Sequence, residues 1–270
     1  MRFLKGHGTE NDFVILPDPD AELDLSAALV AKICDRRAGL GADGVLRVVR
    51  TKRSHEVAGQ ASRAEWFMDY RNADGSVAEM CGNGVRVFAR YLIDAGLADP
   101  AEFAIATRGG LRPVRVEPNG DITVAMGKPV VEGESVATVG GCEYPGLRVN
   151  VGNPHLACAI GDPVVQLDLT HQPGFDIGVF PGGVNIELFN PVGVSRAVMR
   201  VFERGSGETR SCGTGAVATA VAAAALSGDT TGTWTVEVLG GTLTVILEAD
   251  MSYLSGPAVI VASGELMLAE

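Results

Sequence analysis

Two short segments constrain this chain more than anything else in it: Cys81-Gly82-Asn83-Gly84 and Cys212-Gly213-Thr214-Gly215. Each ends the same device, in which a strand-like run and a polar loop lead to Cys-Gly-x-Gly and then to a helical stretch that stops at glycine. In the first copy the run starts at Trp66 and the loop is Asn72-Ala73-Asp74-Gly75-Ser76. In the second the run starts at Ala197 and the loop is Glu203-Arg204-Gly205-Ser206-Gly207-Glu208. One such motif is weak evidence, but its repetition in matching surroundings reads as an internal duplication. Two similar lobes related by a pseudo-two-fold, dividing near residues 117–121, would set both helix starts and both cysteines across a shared cleft of the kind that binds small molecules.

The remaining pattern predicts an α+β fold that is mainly antiparallel rather than built of βαβ units. Runs rich in Val, Ile and Thr recur at residues 12–16, 44–49, 111–117, 121–126, 233–239 and 242–247. Asn119-Gly120 and Gly240-Gly241 are hairpin signals between neighbouring runs. Three helices are expected. Residues 26–36 have Ser26 as N-cap. The stretch after Cys81 carries an apolar stripe of Val85, Phe88, Ala89, Leu92 and Ile93 with Arg86, Arg90 and Asp94 opposite. Residues 216–227 are apolar almost all round, as in a helix enclosed by other elements. Residues 51–65 are polar and aperiodic, which predicts an exposed hairpin loop or insertion with no role in chemistry.

With 270 residues, 46% of them hydrophobic, the chain is long enough to build two such cores. A formal charge of -11 argues against a nucleic-acid partner, because binding to phosphates rewards basic faces. The start, Met1-Arg2-Phe3-Leu4-Lys5-Gly6, lacks the apolar stretch of a signal peptide, and residues 216–226, the longest apolar run, are too short to span a bilayer. A cytoplasmic protein without a membrane partner is expected, and five cysteines lacking C-x-x-C spacing fit a reducing compartment. The expected partner is a small molecule, for a chain acting alone or as a homodimer.

A cysteine placed just before a helix meets the unpaired N–H groups of the first turn and the positive end of the helix dipole, which favour its thiolate and predict a lowered pKa. The glycines let a ligand approach the backbone, and the same N–H groups can receive a carboxylate or a developing enediolate oxygen. Duplicated, the device offers two thiols to opposite faces of one carbon. One thiolate removes an α-proton and the opposite thiol returns one, an inversion that requires neither metal nor cofactor. A metal site using His7 or His155 lacks a recurring ligand spacing, a Cys-His hydrolase would leave the second copy unexplained, and a phosphate loop would carry a lysine after its glycines. Cys34, Cys142 and Cys158 lack a glycine-rich helix start and read as structural.

Over essentially its whole length the chain resembles the diaminopimelate epimerases. The resemblance is carried by Lys5-Gly6-His7-Gly8-Thr9-Glu10-Asn11-Asp12-Phe13, Asn72-Ala73-Asp74-Gly75-Ser76, Gly152-Asn153-Pro154-His155, residues 203–209 and both cysteine motifs. It implies two lobes, 1–118 completed by a last strand at about 258–270, and 119–257, each a curved sheet wrapped about a central helix. It further implies epimerisation of LL-2,6-diaminopimelate to the meso form without cofactor, in lysine and peptidoglycan precursor synthesis. Cys81 would be the proton donor and Cys212 the acceptor for one direction. His155 and Glu203 would tune the thiols, and Asn11, Asn72, Gly82, Asn83, Asn153, Asn185, Glu203, Arg204, Gly213 and Thr214 would bind substrate. Gly44 stands where some members carry a substrate-contacting glutamine, and Glu10 where many carry a small residue. The rival readings are a proline or hydroxyproline racemase of the same fold and a redox-sensing dithiol protein.

Overall fold

The computed structural model describes residues 1–267 and follows the element order β1 (Arg2–Gly8), β2 (Asn11–Pro17), α1 (Ala27–Cys34), β3 (Gly44–Arg50), β4 (Trp66–Asn72), α2 (Gly82–Asp94), β5 (Phe103–Thr107), β6 (Gly110–Val116) and β7 (Ile122–Gly127). The order continues with β8 (Val130–Val139), β9 (Cys142–Asn150), β10 (Pro154–Ala159), β11 (Gly174–Phe175), β12 (Asn185–Gly193), β13 (Arg196–Glu203) and β14 (Gly207–Thr209). Last come α3 (Gly213–Leu226), β15 (Gly232–Val238), β16 (Gly241–Leu247), β17 (Ser252–Gly256) and β18 (Val259–Glu265). The chain divides into two compact units, Met1–Val124 with the segment from Pro257 onward, and Ala125–Gly256.

Both units run through the same series of pairings. In the first, β18, β1 and β2 pair antiparallel, β2 and β3 parallel, β3 and β4 antiparallel, β4 and β5 parallel, and β5, β6 and β7 antiparallel. In the second, β8, β9 and β10 pair antiparallel, β10 and β12 parallel, β12 and β13 antiparallel, β13 and β15 parallel, and β15, β16 and β17 antiparallel. The expected α+β fold is present, with one amendment: each unit contains parallel crossovers, and α2 and α3 are the helices of equivalent ones. A parallel pair cannot be joined by a tight turn, so the chain must cross over, and here a helix supplies the crossover.

Both helices are cut to length by the same chemistry. Each has a cysteine N-cap, and each ends with glycine at positive φ, Gly96 at 67° and Gly228 at 78°. The Leu97 N–H donates to the Leu92 carbonyl and that of Gly96 to Ile93; Asp229 and Gly228 repeat the pattern onto Ala224 and Ala225. Glycine adopts this left-handed conformation without the Cβ penalty. Helix α2 lies against β1, β2, β3, β4, β6 and β18, and α3 against β9, β10, β12, β13, β15, β16 and β17, so each is enclosed by strands of its own unit. That enclosure explains why α3 is built from alanine: Ala216, Ala218, Ala220, Ala222, Ala223 and Ala224 are all buried.

Two expectations need correction. Residues 51–65 form no hairpin; they make two 3-10 turns, Thr51–Arg53 and His55–Gln60, and bury Val57 and Ala64 against Val49, Phe67 and Ala106. Arg86, assigned to the polar face of α2, is fully buried. It lies in the first turns of the helix, beneath the β1–β2 turn and Pro257, where its guanidinium bonds to the Thr9 hydroxyl and to the carbonyls of Gly82 and Pro257. Among the described residues no helix is long and apolar enough to cross a membrane.

Candidate active site

The sheet registers explain why the expected site residues of each unit meet at its cysteine. In the first unit Phe13, Gly44 and Asn72 form one row across β2, β3 and β4, at the end of these strands where α2 begins. In the second, His155 and Asn185 pair across β10 and β12, and β13 runs antiparallel beside them to end at Glu203. Loop residues thus reach the helix start from strand ends.

Cys81 caps α2 in an extended conformation and is half-buried, its Sγ accepting the Gly84 N–H at 3.4 Å. The Asn11 Oδ1 lies 3.6 Å from Sγ and 3.2 Å from the Asn83 amide nitrogen, while Asn11 Nδ2 donates to Asp43 at 2.7 Å. Asp43 is shared with Arg36, which also holds Asp12 together with Lys5. Those cations outweigh the burial of Asp12 and hold its carboxyl at about 2. Asn72 bonds through Nδ2 to the Ser76 hydroxyl. A Cβ on Gly44 would fall 2.5 Å from the Arg71 carbonyl oxygen and 2.7 Å from the Tyr70 ring, so this backbone leaves no room for a side chain there.

Cys212 caps α3 in the same way, its Sγ accepting the Gly215 N–H at 3.4 Å and lying 3.5 Å from the Thr214 hydroxyl. Its surroundings are very different. A chain of hydrogen bonds leads from Thr214 to Asn153 at 3.4 Å, on to the His155 Nε2 at 2.9 Å, and from the His155 Nδ1 to Glu187 at 2.7 Å. His155 and Glu187 are both fully buried. Glu203 accepts from the Thr209 hydroxyl and lies close enough to Cys212 for each to influence the other's proton. The second glycine of the motif is required here, because a Cβ on Gly215 would lie 2.6 Å from the Glu187 Oε1.

Burial and these carboxylates run against one expectation, the lowered thiol pKa at this helix start. Burial first, then Glu203 and Glu187, push the Cys212 thiol well above its ordinary value, and the N–H of Gly215 and hydroxyl of Thr214 do not restore it. The helix start favours the thiolate, but burial, with two acidic neighbours beside it, disfavours a negative charge on this sulfur more strongly. Glu203 is raised in turn, by burial and then by Glu187, against the bond from Thr209.

Asn185 binds protein at both ends, accepting the Arg204 backbone N–H at 3.0 Å and donating to the Pro154 carbonyl at 3.2 Å. It shapes the loop that carries Arg204. The Arg204 side chain is exposed, donates to the Gly182 carbonyl at 2.9 Å and has no carboxylate of the described residues within ion-pair range, which leaves guanidinium donors for an anionic ligand. Sequence reasoning missed Glu187 and the burial of Arg86. An acidic residue inside the otherwise apolar run Ile186-Glu187-Leu188-Phe189 was the available signal for the first. Among the described residues no group of three or more His, Cys, Asp or Glu is arranged around a metal position.

The fold is that of the two-unit epimerases and their relatives. A PhzF-family phenazine biosynthesis protein from Bacillus anthracis superposes with a TM-score of 0.73 at 18% identity, covering 99% of both chains. A hydroxyproline epimerase from Agrobacterium vitis superposes at 0.67 and 15% identity, over 98% of this chain and 90% of the other. Within that class the sequence is specific: the diaminopimelate epimerase family model matches residues 3–132 and 147–261, and the chain belongs to that family. The diaminopimelate epimerase of Thermobifida fusca is 59% identical over 99% of this chain and 98% of its own length. That of Streptomyces coelicolor is 54% identical over 98% and 95%.

Proposed function

We propose that this chain is an isomerase that interconverts LL- and meso-2,6-diaminopimelate by a two-base mechanism on Cys81 and Cys212. It would serve lysine and peptidoglycan precursor biosynthesis in the cytoplasm, acting alone or as a homodimer. The observation that carries the reading is the duplicated helix start. Two cysteine N-caps with the same glycine spacing stand in two units of the same pairing order, in a chain of this family. In one direction the Cys212 sulfur accepts the α-proton and Cys81 donates one to the opposite face; in the other direction the roles exchange.

An α-amino-acid C–H is weakly acidic, so most of the barrier must be lowered by stabilising the enediolate. Backbone N–H groups of Gly82-Asn83 and Gly213-Thr214, at the positive ends of two helices, suit the reacting carboxylate. Diaminopimelate has a second amino-acid head, and Arg204 offers a fork for its carboxylate. Asn11, Asn72 and Asn153 supply donors and acceptors without adding charge, and Asn185 holds the Arg204 loop. His155 acts on Cys212 through Asn153 and Thr214 rather than by touching it.

The test offers LL-diaminopimelate to the reduced protein in deuterated water without pyridoxal phosphate. Meso product carrying α-deuterium is expected. Absence of both product and exchange would sink the activity, and normal turnover by Cys81→Ala or Cys212→Ala would refute the two-base mechanism.

A further inference from the structure

The two copies of the device differ in charge at equivalent positions, and three of the differences around the cysteines have the same sense. The third residue of β3 is Leu46 and the third residue of β12 is Glu187; each lies beneath the last glycine of its motif, with Leu46 nearest Gly84 and Glu187 nearest Gly215. Five residues past each cysteine stand Arg86 and Val217, both fully buried. At the ends of β4 and β13 stand Asn72 and Glu203. The first copy thus surrounds its cysteine with Leu, Arg and Asn, and the second with Glu, Val and Glu. Three differences run otherwise: His155 stands where the first copy has Phe13, and Asp12 and Asp43 stand where the second has Pro154 and Val184, but these two aspartates are paired with Lys5 and Arg36.

Arg86 is an unusual group to bury. Its guanidinium bonds go to uncharged oxygens, those of Thr9, Gly82 and Pro257, and no carboxylate of the described residues lies within ion-pair range. A buried charge without a counter-ion is strongly unfavourable. Burial pulls its pKa down to about 10, still protonated at neutral pH, and the largest negative influence opposing that fall is Cys81, ahead of Asp121 on the turn before β7. The bond to the Gly82 carbonyl places the guanidinium one residue beyond the cysteine. Asn11 from β2 faces Cys81 with a neutral oxygen, and the Asp43 carboxylate behind it is bound by the Asn11 amide and paired with Arg36.

We propose that Arg86 is the built-in counter-charge of a Cys81 thiolate, and that Glu187 and Glu203 keep the proton on Cys212, so the resting enzyme carries one thiolate in a defined place. The inference rests on the two-base reading above. In a turnover started from this form, the Cys81 sulfur takes the α-proton and becomes a thiol, while Cys212 gives its proton to the opposite face and becomes the thiolate. The product leaves behind the disfavoured form, which returns to rest by releasing the Cys81 proton to solvent and regaining one at Cys212. Arg86 is a positioning residue in this scheme, because it acts through Cys81.

The experiment follows alkylation of each cysteine by iodoacetamide in the full-length reduced protein across a pH series, with the two sites resolved by peptide mass spectrometry. The inflection of each rate with pH reports ionisation independently of how accessible the sulfur is. Cys81 is expected to inflect at lower pH than Cys212. Arg86→Met should move the Cys81 inflection up by about 1–3 units, the usual influence of a close opposite charge, and Arg86→Lys should restore most of it. A purely structural role for Arg86, such as bracing the turn at Thr9, would leave the inflection in place. The proposal is overturned if Cys212 inflects at or below Cys81 in the unmodified protein, or if folded Arg86→Met matches it. Should Arg86→Met fail to fold, the order of inflections in the wild type and Arg86→Lys still decides. Active Cys81→Ala or Cys212→Ala would remove the two-base reading while leaving the alkylation order intact.

Discussion

At the scale of single residues the site is a contest between burial and charge. Glu187 makes two contributions: it receives a hydrogen bond from His155, and its charge opposes a thiolate at Cys212. Glu187→Gln retains an acceptor and removes the charge, so Cys212 should ionise at lower pH, as read by the pH dependence of its alkylation. Glu187→Ala also leaves a buried His155 nitrogen unpaired and should cost about 1–3 kcal/mol in urea denaturation. Gly44 is a separate case. The Tyr70 ring and the Arg71 carbonyl occupy the space its side chain would need, and Gly44→Ala should destabilise by about 1–3 kcal/mol through overpacking.

At the scale of elements, each helix is specified by its ends and by how much of its surface is enclosed. The apolar stretch after Cys212 was legible as an enclosed helix because no polar face interrupts it. Its alanines are small because strands approach it on every side, so Ala220→Leu should cost about 1–3 kcal/mol, whereas Leu226→Ala, at the exposed C-terminal end, should change stability by less than about 0.5 kcal/mol. Thermal or urea denaturation of the pair checks the contrast. Helix α2 was legible only in part. Spacing alone put Arg86 on the polar face with Arg90 and Asp94, because periodicity cannot anticipate that the β1–β2 turn and Pro257 cover the helix start. Residues 51–65 misled for a related reason: a few buried side chains, Val57 and Ala64 among them, suffice to anchor a mostly polar segment.

At the scale of the whole molecule, acidic groups held by arginine and lysine determine the response to pH. Asp12, Asp18 and Asp69 all have carboxyls below their ordinary values despite burial, through bonds to Arg36 and Lys5, to the backbone of Leu23 and Glu22 with Arg47, and to Arg71 and Arg108. Their folded pKa values lie below the unfolded ones. The stability they contribute is therefore complete above about pH 4, where unfolded aspartate is ionised, and is lost as pH falls toward the value of about 2 at Asp12. Glu203 and Asp43, whose values are raised, act in the opposite sense and regain stability as they protonate. With the lowered aspartates in the majority, urea midpoints should fall between pH 5 and pH 2.5.

The sequence alone determined the duplication, the two capping cysteines, the glycines that let them begin helices and the family to which the chain belongs, because these depend on residue type and spacing along the chain. Only the tertiary structure decided how the copies differ. Leu46 and Glu187, and Asn72 and Glu203, become equivalent through strand register, while Arg86 and Val217, at the same distance past each cysteine, matter because the fold buries both. The reason is physical: a helix start alone offers both thiols the same N–H groups, whereas the charge each sulfur can hold depends on which buried groups the fold brings beneath it.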